Sequence, residues 1–186
     1  VSLPTRRYRR LLDACAELVA LPGWTYRGVS FFPGEWLEGL VLAESRGNPS
    51  ARLYEPHQDR AGRRDAASDG DTPDQDDGML EDDKSYGLMQ VMGYNIRELC
   101  GVPRGTAMRF GFALLPITNV ALGLRVLIGE LSAVGGDVAR ALARYNGGPT
   151  GDDGSPMRLQ GYVDRIYSHA LVVRDDRVAE ASEGLE

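Results

Sequence analysis

The sequence predicts a mainly α protein, and three observations carry that reading. Apolar residues recur at helical spacing along most of the 186 positions. Gly- and Pro-marked turns separate those periodic stretches. Strand-like alternation is scarce, which leaves room for at most a short sheet near residues 52–95. We therefore expect a helical globular domain of α+β type. A composition of 42% hydrophobic and 26% charged residues is that of an ordinary folded domain with a real core.

Residues 5–21 read as an amphipathic helix that stops at "LPGW". Its apolar face carries Leu11, Cys15, Leu18 and Val19. The basic run "RRYRR" at 6–10 reads as a solvated helix face rather than a contact for an acidic surface. Residues 33–46 form the next helix, with Pro33 at its first position. Leu37, Leu40 and Val41 lie seven, four and three positions before Glu44, so all four share one face. Gly47 supplies a left-handed cap and Pro49 cannot continue the helix. Glu44 is thereby expected in the last turn, on the buried side, where a charge is costly.

The segment 52–84 is polar and acidic, and reads as a long, partly mobile loop. "SYGLMQVMGYNIRELCG" extends or turns through Gly87 and is then helical to Cys100. Residues 116–134 form a strong helix, ended by "GGD". Asp137 caps the next helix, "VARALARYN", which stops at Gly147 and Gly148. Ser155 and Pro156 open a last helix that places Leu159, Tyr162, Val163, Ile166 and Ala170 on one face. The polar end from Arg174 is expected to fray.

Charge and composition exclude several functions. The net charge is −6. Ten acids against four bases fall within 59–84, and the rest balances at 17 acids against 17 bases. No general nucleic-acid binder is suggested. Arginine supplies 20 of the 21 basic residues, a coding bias more than a function. No run reaches the length of a transmembrane span, and no secretory h-region is visible at the start. The two histidines, His57 and His169, form no HExxH and no Cys/His cluster, so no metal is expected. No GxSxG and no phosphate-binding Gly-rich loop appears. The acidic loop fails the EF-hand spacing, because Gly70 in the sixth position puts Ala67 in the third. Cys15 and Cys100 are the only cysteines, and spacing does not decide whether they pair.

Glu44 remains. A buried carboxyl resists ionisation, and a protonated Glu can give its proton to a glycosidic oxygen and later act as a base. Periodicity alone also allows a Glu that simply reaches solvent from a final turn.

Four segments in register decide between these. "ESRGNPSA" (44–51), "SYGLMQVM" (85–92), "NVALGLRVL" (119–127) and "ALARYNGG" (141–148) together resemble the soluble lytic transglycosylases. These belong to the lysozyme-like superfamily that includes goose-type lysozymes. The resemblance spans roughly residues 33–170. It implies a lysozyme-like α+β fold with a groove for glycan, and a division into an N-terminal helical segment (1–32), a transglycosylase domain (33–173, with the insert 52–84) and a polar tail (174–186).

The resemblance implies Glu44 as the sole catalytic acid/base, with the Tyr145 hydroxyl bonded to its carboxyl and Asn146 fixing the turn beside it. Gly87, Leu88, Met89 and Gln90 would line the sugar groove. Ser45, Ser85 and Tyr162 match less stringent groove positions. Residue chemistry fits these roles. Gln90 can donate and accept toward an amino sugar, Met89 can fill an irregular gap beside an acetamide, and Gly87 lets a backbone approach closely. The chain departs from the pattern in the 33-residue insert, in Gly93 where a proline is common, and in Arg144 before Tyr145.

The implied reaction is cleavage of the β-1,4 bond between N-acetylmuramic acid and N-acetylglucosamine, closing a 1,6-anhydro ring without cofactor or added water. The partners are peptidoglycan strands, with a larger cell-wall or phage-tail assembly as a further candidate. The place of action is the bacterial cell wall, whether periplasmic, extracellular or virion-associated. Two alternatives stay open on sequence. A hydrolytic muramidase would want a second carboxylate, for which Glu55, Glu81, Asp82 and Asp83 are available. An inactive wall-binding or phage-tail component would keep the fold without the chemistry.

Overall fold

A computed structural model describes residues 3–54, 84–103, 108–147 and 156–183. Six α-helices and five short strands lie among them: α1 (Arg9–Leu18), β1 (Trp24–Tyr26), β2 (Val29–Phe31), α2 (Pro33–Ser45), β3 (Arg52–Tyr54), β4 (Lys84–Tyr86), β5 (Val91–Met92), α3 (Gly93–Leu99), α4 (Pro116–Ala133), α5 (Val138–Gly147) and α6 (Pro156–Glu183). The mainly α expectation holds. The chain divides into two compact units, one of residues 1–47 and 124–186, the other of residues 48–123.

The first unit is built around α2. Pro33 opens this helix, and the Glu35 carboxylate reaches back to accept the Phe32 N–H at 2.7 Å. Every residue from Gly34 to Leu42 is buried. A helix covered all round is a central one, so the single buried face expected from periodicity understates its position. Helices α1 and α6 both pack on α2. At Gly39 the α6 crossing is tight, and a Cβ would lie 2.9 Å from the Ala170 nitrogen and 3.1 Å from the Ile166 oxygen. The α6 face named from sequence is confirmed at Tyr162, Val163, Ile166 and Ala170, all buried; the Leu159 side chain lies outside the described residues.

Three expectations for this unit are corrected. Helix α1 does not bury the Leu11–Cys15–Leu18–Val19 face: Leu18 is 85% exposed, and Arg9, Leu12 and Ala16 point inward instead. The inward face carries a charge beside its apolar groups. Arg9 in the "RRYRR" run is not solvated but hydrogen-bonds the fully buried Glu38 carboxylate through Nε and Nη2, both at 3.0 Å. The end from Arg174 does not fray, since α6 runs to Glu183 and Arg177 Nη2 reaches Glu38 Oε2 at 3.0 Å and Asp13 Oδ1 at 2.8 Å. Finally, residues 24–31 form an antiparallel hairpin pairing Trp24 with Phe31 and Tyr26 with Val29, outside the 52–95 window. Its rings pack with Tyr167 of α6.

The second unit holds a three-stranded antiparallel sheet in the order β3-β4-β5. Arg52 pairs with Tyr86, and Tyr86 with Val91. Strand β5 leads into α3, whose C-cap is Cys100, as the sequence suggested. Tyr86 stacks on Phe110 with ring centroids 5.3 Å apart. Residues 55–83 of the acidic insert lie outside the described residues. Helix α4 matches its expected span within one residue, and Asp137 caps α5 by accepting the Arg140 N–H at 3.0 Å. Cys15 and Cys100 are free thiols.

Candidate active site

Glu44 stands in the last turn of α2 and is half-buried. The chain leaves this helix through two left-handed residues, Arg46 (φ 54°) and Gly47 (φ 74°). The cap expected of Gly47 thus begins one residue earlier, where the Arg46 N–H closes on the Leu42 oxygen at 3.1 Å. The run of buried positions ends at Leu42, and Glu44 lies half-buried between it and the buried Ser45.

The phenol of Tyr162, on α6, donates a hydrogen bond to Glu44 Oε1. Tyr162 is only 4% exposed. Burial, the Glu44 carboxylate and the hydrogen bond to it push the Tyr162 phenol well above its ordinary pKa. It is therefore a neutral donor across the working pH range. Tyr145, on α5 and half-buried, is close enough to Tyr162 to add to that rise. Arg165 lies over the Tyr162 ring at 5.2 Å. Glu44, Tyr162 and Tyr145 are thus brought together by three helices of one unit.

The remaining sequence-derived positions fall into distinct settings. Ser45 is buried, and its hydroxyl donates to the Val41 oxygen of its own helix at 3.1 Å. Asn146 is exposed at the end of α5. Ser85, Gly87, Leu88, Met89 and Gln90 belong to the β4–β5 hairpin of the second unit. Leu88 and Met89 are fully buried there. Gln90 is half-buried and adopts φ 47°, a left-handed conformation that a non-glycine residue holds only when its surroundings impose it. Its side chain is locked at both ends: Ser85 Oγ donates to Oε1 at 2.7 Å, and Nε2 donates to the Gly87 oxygen at 2.8 Å.

The first residue of "NVALGLRVL" has a role that the sequence expectations missed. Asn119 is fully buried in α4 and accepts the Met89 N–H at 2.7 Å. Its amide nitrogen donates to the Tyr86 and Ala113 oxygens at 2.7 and 2.9 Å. The signal was present: a lone amide on an apolar helix face is a group that must find partners.

No group of three metal-ligating side chains occurs among the described residues. Glu55, Glu81, Asp82 and Asp83 lie outside them. His169 is half-buried on α6, and burial with Arg165 and Arg46 nearby lowers its pKa, so it is neutral near pH 7.

The mainly helical, lysozyme-like fold defines the class. The family model described as "Transglycosylase SLT domain" matches residues 33–155, and the chain belongs to that family. No curated protein and no solved structure matches it significantly. Membership gives, at family level, peptidoglycan as substrate and the cell wall as the place of action. No helix among the described residues is long and apolar enough to cross a membrane.

Proposed function

We propose that this chain is a lytic transglycosylase cleaving the β-1,4 bond between N-acetylmuramic acid and N-acetylglucosamine, with Glu44 as its sole general acid/base. The observation that supports this most is the half-buried Glu44 carboxyl, bonded by the Tyr162 phenol at the end of a helix buried from Gly34 to Leu42, inside the family-matched segment.

In this mechanism the protonated Glu44 carboxyl gives its proton to the glycosidic oxygen as C1 of the muramoyl residue gains oxocarbenium character. The substrate's own acetamide oxygen closes on C1 and carries that charge, so no protein nucleophile is required. The Glu44 carboxylate next takes the proton of the C6 hydroxyl. O6 then bonds to C1, the acetamide is released, and a 1,6-anhydro ring is formed. Glu44 ends protonated, as it began. Tyr162 holds the carboxyl in place through both steps, and Tyr145 supports Tyr162. Gln90, its amide held by the buried Ser85 hydroxyl, serves the glycan through its remaining acceptor capacity, and Asn146 is a further groove residue. Leu88 and Met89, being buried, act by shaping the turn that presents Gln90.

Mass spectrometry of muropeptides released from purified peptidoglycan tests the reaction. Products ending in 1,6-anhydro-N-acetylmuramic acid are expected. Products with ordinary reducing ends would instead establish a hydrolase.

A further inference from the structure

We infer that Asn119 is a positioning residue for glycan binding, acting through the Gly87–Gln90 turn; the inference rests on the transglycosylase reading above.

The turn joins β4 to β5 through four residues and contains two left-handed positions, Gly87 (φ 73°) and Gln90 (φ 47°). Glycine adopts such a φ freely, but Gln90 does not and needs an external brace. Asn119 provides it with all three of its side-chain bonds going to backbone. Nδ2 binds the Tyr86 oxygen before the turn and the Ala113 oxygen before α4, while Oδ1 binds the Met89 N–H within the turn. One amide thus ties the entry of the turn, its third residue and the lead-in to α4. The fit is close. A Cβ on Gly87 would lie 2.4 Å from Asn119 Nδ2 and 2.6 Å from its Cγ. The absence of a side chain at Gly87 therefore admits the close approach of Asn119. The next residue after Met89 is Gln90, whose left-handed backbone aims a side chain already locked to Ser85 and Gly87. Asn119 is buried and touches no solvent, so its influence on substrate must pass through that backbone.

The same rate machinery should survive its loss, because Glu44, Tyr162 and Tyr145 belong to the other unit. The test measures initial rates over a concentration series of soluble, uncross-linked peptidoglycan strands. Asn119→Ala removes all three bonds. Asn119→Asp keeps the acceptor for Met89 but sets a carboxylate against two carbonyl oxygens. Gly87→Ala wedges the same contact from the opposite side. Leu127→Ala, a fully buried position further along α4, is the control for destabilisation alone. All are compared at a temperature where near-ultraviolet circular dichroism shows the native fold.

The expected result is a KM raised about tenfold or more in the Asn119 and Gly87 variants, with kcat held within about threefold of wild type, the pattern of lost binding. Leu127→Ala should leave KM unchanged. An unchanged KM in the three turn variants overturns the inference, as does a kcat loss without a KM change. Failure of all three to fold also overturns it, since Asn119 would then determine folding alone. A wild-type protein with no activity on the strands strikes at the transglycosylase reading itself, which separates the two failures.

Discussion

At the scale of single residues, the proposed site contains the bond from the Tyr162 phenol to Glu44 Oε1. A hydrogen bond to a charged group contributes about 1.5–3 kcal/mol, so Tyr162→Phe should lower kcat roughly 10- to 100-fold. Released peptidoglycan fragments, quantified over time, measure this. The same residue sets a pH dependence. Burial and Glu44 raise the folded-state pKa of Tyr162 above the unfolded value near 10. Above that pH the unfolded chain sheds a proton that the native chain keeps, so stability falls as pH rises from about 10 upward. Below it this contribution is constant. Urea midpoints from pH 9 to 12 should decline less steeply for Tyr162→Phe than for wild type. Glu44 was legible as a candidate because an acid at the end of an apolar helix is conspicuous. The donor Tyr162 was assigned only to the groove, because the meeting of α2 and α6 is a tertiary fact that no local pattern encodes. Arg9 was misread for the same reason: its partner Glu38 lies 29 positions away.

At the scale of elements, the α2–α6 crossing is what delivers Tyr162 to Glu44. Gly39 permits it, with α6 backbone atoms in the space a methyl would need. Backbone yields less readily than a side-chain tip, so Gly39→Ala should destabilise by about 1–3 kcal/mol, read from denaturant midpoints. It should also reduce activity more than its stability loss explains, because the helices are pushed apart beside the site. Helix spans were readable from capping and punctuation: Pro33, Asp137 and Pro156 each sit where sequence put them. The 24–31 hairpin was not. Its strands are three residues long, too short for alternation to register. They are held by ring packing with Tyr167 and by Asp164, which accepts from the Tyr26 hydroxyl at 2.8 Å and Arg27 Nη2 at 2.9 Å.

At the scale of the whole molecule, the first unit closes on a buried charge cluster. Glu38 accepts from Thr5 Oγ1 at 2.8 Å, from Arg9 and from Arg177, which joins the N-terminal segment and the end of α6 to the central helix. Burial alone would lower the Arg9 pKa, but its bonds to Glu38, Asp176 and Glu180 raise it above the ordinary value. The Arg9 and Arg177 guanidiniums both donate to that one carboxylate. Glu38→Ala leaves them without their shared carboxylate, and should cost about 3–5 kcal/mol, measurable by chemical denaturation. Catalysis itself falls to Glu44 in the proposed mechanism. The most direct measurement compares wild type with Glu44→Gln for release of anhydro-muropeptides, both proteins matched by circular dichroism. Loss of the group that both gives and takes the proton should lower the rate by about 10²- to 10⁴-fold with the fold unchanged. Release by the glutamine variant at the wild-type rate would contradict the assignment of Glu44 as acid and base.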